Sequence, residues 1–456
     1  MPAHGEALTS NPAINVSKWF EGSKFNAFHL LLFFLGVGVF AFDGYDLFVY
    51  GAAVPLLLKS FHISLAQAGA IASYAPIGAA VGALVFGSLA DKIGRKTTIL
   101  ICAVIFCAGM GLSGITSGPN SFGFFRFITG LGVGGSMPNM VALCTEYAPV
   151  RARSTMVALM LSGIQVGGIL ASVLGMTLFP HFGWRSVFLA GFVPIIALPL
   201  YLKLLPESPV HLVKRNRLEQ LRNFVRKARP SESVPDGAVL QVNQGSGKAP
   251  IATIFQEGRA FSTVVFWIVY FLNLFTIFGF TIWLPKLIIS QGFSLASGLT
   301  GLLILSIASI IGSYVAGFIA DRIGSRPTLC LFYFISFASI VLTGYMTQFV
   351  YLMLLVSLAG AGFNGAQNIM NAYIGAYYPP SMRSTAMGFA YGLGRLGAIF
   401  GPAIVGLLMT LHFSYRGTLV TIGLPGLIAA VGVLAIREKY NFARQTAAEK
   451  AVVRSA

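Results

Sequence analysis

The sequence predicts an all-α integral membrane protein, with twelve transmembrane helices arranged in two pseudo-symmetric six-helix bundles. First, 56% of the 456 residues are hydrophobic and 10% are charged, whereas soluble proteins contain about 25% charged residues. Second, apolar runs recur twelve times, each long enough, at about 20 residues, to cross a bilayer as a helix. Third, the second half of the chain repeats motifs of the first half at a constant spacing.

The apolar runs form two groups of six on either side of a polar gap. The first group covers residues 25–55, 65–90, 97–116, 121–144, 154–179 and 185–205. The second group covers residues 260–284, 295–320, 327–347, 350–373, 384–411 and 417–436. The first run follows a polar N-terminus without the short apolar region and cleavage site of a signal peptide, so we expect it to be retained as a span.

The two groups define the predicted domains. These are a cytoplasmic N-terminus (1–24), an N-terminal six-helix bundle (25–205), a cytoplasmic linker (206–258), a C-terminal six-helix bundle (259–437) and a cytoplasmic tail (438–456). In the linker, residues 209–228 are basic with interspersed apolar residues, which predicts an amphipathic helix on the inner membrane surface. Residues 231–250 are rich in Gly, Ser and Pro, which predicts a mobile tether.

Two stretches reveal an internal repeat. Gly87–Lys96 returns as Gly317–Arg326, at an offset of 230 residues (317 − 87 = 230). The same offset relates Arg153 to Arg383, which begin an Arg-Ser-Thr sequence in both halves. A register that holds over half of the chain indicates duplication, and we expect parallel repeats related by an axis along the membrane normal.

The net charge of +17 is explained by topology, so no nucleic-acid partner is predicted. Lysine and arginine concentrate at alternate helix ends, near the N-terminus, after Pro206 and in the C-terminal tail. Such residues favour the cytoplasmic side, so we expect both termini in the cytoplasm and a multi-pass protein of the inner (plasma) membrane. The opposite helix ends carry no Asp or Glu, which modestly favours an anionic substrate.

No catalytic or metal-binding constellation occurs in the sequence. The four cysteines lie in or at the ends of apolar runs and are interpreted as packing residues: Cys102, Cys107, Cys144 and Cys330. The six histidines are scattered, without a Ser-His pairing or a phosphate-binding loop. We therefore predict no enzyme activity, no metal and no cofactor.

Two carboxylates interrupt the first apolar run. Asp43 and Asp46 share one face of a helix because they are three residues apart, and Gly44 lets a neighbouring backbone or a ligand approach closely. Acids inside a bilayer are costly and often act as proton relays, so we predict that both couple protons. The alternative is a structural pair neutralised by a nearby arginine. The repeat aligns these acids with Asn273 and Thr276, so they belong to the first half alone.

Arg395 is the leading candidate for substrate binding, and its counterpart in the first half is Gln165. A guanidinium binds a carboxylate through two parallel hydrogen bonds. An arginine in the middle of a membrane span costs several kcal/mol of insertion free energy, which favours a functional role. Tyr391 lies on the same helix face and can contact an aromatic ring. The alternative is a structural arginine paired with an acid or with helix-end carbonyls. Acid in one bundle and base in the other suits a carrier of a carboxylate and a proton.

A stripe of amides marks the tenth helix. Asn364, Gln367 and Asn371 share one face, with Asn368 beside them. Amides in a span can join helices, at about 0.6 kcal/mol each, but this one-sided cluster favours a cavity lining for substrate hydroxyls or water.

Arg126, near the outer end of the fourth helix, can reach Asp46, because the two depths differ by less than the length of an extended arginine at a rise of about 1.5 Å per residue. We predict that Arg126 stabilises a nearby ionised Asp in one conformation and lets it take up a proton in another.

These motifs resemble the major facilitator superfamily over nearly the whole chain. Gly87–Lys96 matches its Gly-x-Leu-Ala-Asp-x-x-Gly-Arg-Lys signature between the second and third helices, and Gly317–Arg326 is a second copy. Phe124–Gly132 is similar to its fourth-helix pattern, and Pro206–Pro209 to the end of its sixth helix. The resemblance implies the major facilitator fold, in which two bundles rock around a midplane site.

Within the superfamily, Asp43–Asp46 resembles the first-helix Asp-Gly-x-Asp motif of the aromatic acid:proton symporters, with Arg126, Glu146 and Arg395 in support. The resemblance implies proton-coupled uptake of small benzoate-like or hydroxybenzoate-like carboxylates by alternating access. The expected partners are this anionic substrate, protons and the bilayer, and the chain is expected to be a monomer. Alternatives are a facilitator of the same fold for nicotinate, other organic acids, sugars or drug export, and a membrane sensor that does not transport.

The signature is interpreted as a cytoplasmic latch. Gly87 and Gly94 would allow close packing and a sharp turn. Asp91 would meet a helix N-terminus or a basic group of the other bundle. Arg95 and Lys96 would face the anionic leaflet. Further gating residues are predicted at the inner helix ends: Glu146, Arg153, Asp321, Arg322 and Arg383.

Overall fold

The computed structural model describes residues 13–229, 239–241 and 250–446. Parts of the predicted N-terminus, linker and tail, including most of the predicted tether, lie outside the described residues: 1–12, 230–238, 242–249 and 447–456. Within the described part, twelve helices are long and apolar enough to cross a membrane, which confirms the predicted fold class.

The twelve helices follow the predicted order. The first six are α1 (Ala27–Phe61), α2 (Leu65–Ile93), α3 (Arg95–Ser113), α4 (Pro119–Tyr147), α5 (Val150–Phe182) and α6 (Arg185–Leu204). The second six are α7 (Ala260–Ser290), α8 (Leu295–Ile323), α9 (Ser325–Thr343), α10 (Phe349–Tyr377), α11 (Arg383–Thr410) and α12 (Tyr415–Ala435). Short elements flank them: a parallel strand pair (Ala13–Asn15 with Val239–Gln241), a helix (Val16–Glu21) and 3-10 turns (Ile251–Phe255 and Glu438–Tyr440).

The repeat is visible in the helix bounds. α8, α9 and α10 begin and end 230 residues after α2, α3 and α4, as Leu295 does after Leu65 (295 − 65 = 230). Gly94 and Gly324 occupy equivalent turns, with φ angles of 98° and 90° that other residues rarely adopt. Each glycine therefore lets one span end and the next begin within a single residue.

α1 is longer than the predicted run that ended at Pro55. The helix continues to Phe61, after which His62 has a φ of 51°. A membrane helix tolerates proline where neighbouring helices cover the site, and Pro55 is buried. The proline therefore costs one backbone hydrogen bond without ending the helix.

The predicted amphipathic helix of the linker forms two short helices, Pro209–Lys214 and Leu218–Ala228. They are separated at Asn216, where φ is 54°. Leu221 and Val225 are fully buried, because the second helix packs against the start of α1. Aromatic rings of the two segments are in contact, and the side-chain amide of Asn26 donates to the last backbone carbonyls of the linker helix. Protein therefore covers the apolar side that was expected to lie on the membrane surface.

The two bundles meet closely at one end of the helices. We call it the Ser64 end, after the residue that caps α2, and we call the opposite end, which carries the Gly94 turn, the Gly94 end. At the Ser64 end, the backbone N–H of Ala66 donates to Oγ1 of Thr410 (2.8 Å). About two turns further along α2, the Ser73 hydroxyl donates to the backbone carbonyl of Ile399 in α11 (2.6 Å). These bonds join α2 to α11 across the interface.

The sides of α2 and α11 that are bonded at the Ser64 end lie farther apart toward the Gly94 end. Leu84 continues the stripe of Ala66 and Ser73 on α2 and is 75% exposed. On α11, a Cβ atom added at Gly388 or Gly392 would have no atom within 4 Å. The interface between the bundles therefore widens toward the Gly94 end.

The contact of α1 with α5 depends on Gly44, where an added Cβ would lie 1.8 Å from the backbone oxygen of Ile164. We expect Gly44→Ala to lower the thermal midpoint of the purified protein, because overpacking costs about 1–3 kcal/mol. Gly388→Ala is the control, since it adds the same methyl group to open space and improves helix propensity. Equal midpoints for the two variants would contradict this contact.

Candidate functional site

A cavity of about 180 Å³ lies between the bundles. Its wall comes from α1, α2, α4 and α5 of the first half and from α7, α8, α10 and α11 of the second. The wall includes every residue that the sequence predicts for proton coupling and substrate binding: Asp43, Asp46, Arg126, Asn364, Gln367, Asn371, Tyr391 and Arg395. Their shared position is a finding, and their roles remain predictions.

Asp46 and Arg126 form an ion pair between α1 and α4. The two residues are 5% and 2% exposed. The guanidinium carbon of Arg126 also lies 5.0 Å from the ring centroid of Tyr50, a cation–π contact. Because an unpaired charge at such a depth is costly, each member of the pair requires the other.

Asp43 lies three residues before Asp46 and is less buried. The charged groups that act on it are Arg395 of the opposite bundle and Asp46 of its own. The guanidinium carbon of Arg395 lies 5.3 Å from the ring centroid of Tyr391. Its Nη1 is buried and has no hydrogen-bond partner among the described residues, so this donor is unsatisfied.

The amides of α10 are bonded to α7 in a ladder. Asn273 donates to Oε1 of Gln367 (2.7 Å), and Gln367 donates to Oδ1 of Asn371 (3.4 Å). The Tyr270 hydroxyl donates to the same Oδ1 (2.9 Å). These bonds occupy Oε1 of Gln367 and Oδ1 of Asn371, so these two amides offer the cavity N–H donors.

A second chain of amides crosses between the bundles. Nε2 of Gln165 donates to Oδ1 of Asn364 (3.3 Å), and Nδ2 of Asn364 donates to Oγ of Ser309 (2.8 Å). Sequence reasoning treated Gln165 only as the counterpart of Arg395 and missed Ser309. The repeat position was the available signal for Gln165. A serine in an apolar helix gives none, because it ordinarily bonds its own backbone.

The predicted gating residues of the signature lie at the Gly94 end and contact their own bundle. Arg95 pairs with Glu146 (2.5 Å), instead of facing the leaflet as expected. The carboxylate of Glu207 accepts from the backbone N–H of Lys96 (3.1 Å). A Cβ atom at Gly94 would lie 2.4 Å from Glu207, so glycine permits this close approach.

Among the residues that the structure describes, the latch contacts expected between the bundles are not formed at Gly87 and Asp91. A Cβ atom added at Gly87 would have no atom within 4 Å, and Asp91 is exposed. The reason is the separation of the bundles at this end. Arg153 pairs with Glu21 of the N-terminal segment (3.5 Å). The other predicted gating residues are exposed at the same end: Asp321, Arg322 and Arg383.

Comparison with known proteins identifies the family. The model of the Major Facilitator Superfamily matches residues 36–329 and 300–455. The chain belongs to this superfamily.

A benzoate transport protein of Acinetobacter baylyi is 37% identical to this chain over 434 residues, which cover 93% of this chain and 93% of that protein. A gallate transporter of Pseudomonas putida is 34% identical over 428 residues, covering 92% of this chain and 95% of that protein. The xylose transporter XylE of E. coli, in a partially occluded inward-open structure, has the same fold with a TM-score of 0.71 at 18% identity, over 89% of this chain and 97% of that one. These proteins are transporters and not enzymes, and the chain is a multi-pass membrane transporter.

The buried ion pair predicts non-additive stability in this transporter. Arg126→Gln or Asp46→Asn alone leaves an unpaired buried charge, which costs about 3–5 kcal/mol. The double variant removes both charges, so we expect it to lose less stability than the two single variants lose together. Thermal unfolding of the four proteins in one detergent measures the difference. Additive losses would show that the two charges do not support each other.

Proposed function

We propose that this transporter couples the uptake of small aromatic carboxylates to protons, by alternating access, in the inner (plasma) membrane. The relatives that are named for benzoate and gallate support this substrate class. The observation that carries the proposal is the charge of the cavity. Among the described residues, its charged groups are the carboxylates of Asp43 and Asp46 and the guanidinium groups of Arg126 and Arg395. The wall is neutral when all four are ionised.

This neutrality accounts for coupling. A carboxylate that enters alone adds one uncompensated negative charge to a site with a low dielectric constant, where the penalty is large. A proton that enters with the anion restores neutrality. We therefore propose one proton for each monovalent carboxylate.

Arg395 is the proposed binding group for the carboxylate. Its unpartnered Nη1 supplies a donor, and arginine–carboxylate pairs form two parallel charge-assisted bonds. The N–H donors of the α10 amides lie on the same wall. The aromatic ring of the substrate would pack against Tyr391 and the apolar lining from α7, which includes Leu274, Ile277 and Phe278.

Asp43 is the proposed proton-binding group, while Arg126 holds Asp46 ionised. Before the substrate enters, Arg395 is the counter-charge of Asp43. A substrate carboxylate on Arg395 takes over that counter-charge and leaves Asp43 beside the negative Asp46. Protonation of Asp43 then relieves the repulsion. Coupling thus arises because two anions compete for one cation.

The orientation of the transporter in the membrane follows from the distribution of basic residues, which favours a cytoplasmic position for the Gly94 end. In this conformation the cavity would then open toward the cytoplasm. Rocking of the bundles would close the Gly94 end and open the Ser64 end. Gly87 and Asp91 would then approach the second bundle, which gives the latch its partners.

The carboxylate site is tested with Arg395→Lys. We expect it to weaken benzoate binding about tenfold or more, because an ammonium group cannot form two parallel bonds. Arg416→Lys is the matched control, since Arg416 is exposed at the Ser64 end. Dissociation constants of the purified proteins measure the effect. Equal benzoate affinity in both variants would refute the carboxylate site. Uptake of a sugar without uptake of benzoate would refute the substrate class.

The proton site is tested with Asp43→Asn and Asp46→Asn in proteoliposomes. We expect each variant to lose the benzoate accumulation that a pH gradient drives, because Asp43→Asn removes the titratable group and Asp46→Asn removes the charge that balances Arg126. Exchange of labelled benzoate across the membrane should persist in both. Glu219→Gln, at an exposed acid of the linker, is the control. Alkalinisation outside the vesicles upon addition of benzoate measures coupling. Full proton-dependent uptake by Asp46→Asn would exclude that residue from coupling.

A further inference from the structure

The two walls of the cavity differ in hydrogen-bonding character. The second-half wall offers donors from Arg395 and Asn371. The acceptors of the first-half wall are the carboxylates of Asp43 and Asp46 and the amide oxygen of Gln165, beside the Arg126 guanidinium that pairs with Asp46. Of these, the Gln165 amide has no assigned role in the proposed transport.

The orientation of the Gln165 amide is fixed by its neighbours. The Ser309 hydroxyl donates to the carbonyl of Leu305 (2.7 Å), so its oxygen accepts from Nδ2 of Asn364 (2.8 Å). Oδ1 of Asn364 therefore faces Gln165 and accepts from its Nε2 (3.3 Å). Oε1 of Gln165 is left buried, without a hydrogen-bond partner among the described residues.

A buried acceptor without a donor carries a desolvation penalty. Gln165 is 9% exposed and lines the cavity, so a ligand that brings an O–H group to Oε1 relieves this penalty. An otherwise similar ligand without the O–H group leaves the penalty in place. Sites of this kind select for a substrate hydroxyl.

The repeat sets the position of Gln165 relative to the carboxylate site. Gln165 and Arg395 are equivalent positions (395 − 165 = 230), and both line the cavity. Equivalent positions of parallel repeats lie on opposite sides of the axis between the bundles. Arg395 and Gln165 therefore lie on opposite walls of the cavity, so a ring whose carboxylate is bound at Arg395 can extend across the cavity toward Gln165.

We infer that Gln165 determines substrate specificity by accepting a hydrogen bond from a phenolic hydroxyl that is remote from the carboxylate. The inference rests on the proposed function, because the carboxylate on Arg395 orients the ring. The transporter then prefers benzoates with a hydroxyl at ring position 3 or 4 over benzoate itself. A hydroxyl at position 2 lies beside the carboxylate and gains nothing from Gln165.

The test measures dissociation constants of benzoate and of 2-, 3- and 4-hydroxybenzoate with the purified full-length transporter. We expect the better of the 3- and 4-hydroxy isomers to bind about tenfold more tightly than benzoate or the 2-hydroxy isomer. In Gln165→Met, which keeps the length of the side chain without the amide oxygen, we expect this preference to disappear. Ser313→Ala is the matched control, because Ser313 lines the cavity but its hydroxyl already donates to a backbone carbonyl (2.8 Å). It retains the preference.

The outcomes separate the inference from the proposed function. If benzoate binds but the 3- and 4-hydroxy isomers bind no more tightly than the 2-hydroxy isomer, the inference is overturned and carboxylate binding stands. The same holds if Gln165→Met keeps the wild-type preference. If none of the four acids binds the wild type, both fail. The comparison of isomers uses the wild type alone. It can therefore refute the inference even if the Gln165 variant does not fold.

Discussion

The packing around the cavity depends on one buried ion pair. Asp46 and Arg126 lie almost without exposure between α1 and α4, and either charge alone would cost several kcal/mol. The helices can hold both only where the partners meet, so the pair fixes how α1 sits against α4. Gly44 brings α1 equally close to α5. The carboxylates of α1 are thus held between two neighbours, at the surface that faces the other bundle.

The scaffold is symmetric and the site is not. Helix bounds, glycine turns and the offset of 230 residues recur in both halves, because backbone geometry and packing impose the same demands on each bundle. Single substitutions at equivalent positions then give the walls different chemistry. Asp43 is equivalent to Asn273 of the second half, and Arg395 is equivalent to Gln165 of the first half. Duplication followed by point changes therefore gives the two walls different hydrogen-bonding groups.

One helix face serves two purposes along its length. On α2, Ala66 and Ser73 form hydrogen bonds with α11, whereas Leu84 on the same face is exposed. The bonds at the Ser64 end are few and involve a backbone N–H and small hydroxyls, so their exchange for contacts at the other end requires little rearrangement within either bundle. Such weak, local seals suit bundles that move as rigid bodies, in which the cores stay packed and only the interface changes.

The amino-acid sequence was sufficient for the number and order of the spans, the repeat, and the selection of Asp43, Asp46, Arg126 and Arg395, because these depend on hydrophobicity, periodicity and the cost of charge in a bilayer. The partners were decided by packing. Arg95 forms an ion pair with Glu146 instead of facing the leaflet. The apolar side of the linker helix packs against the rest of the protein and not on the membrane surface. Which helices touch, and at which end, depends on distances between segments far apart in the chain. No local pattern encodes those distances, so the orphaned oxygen of Gln165 came to light only in three dimensions.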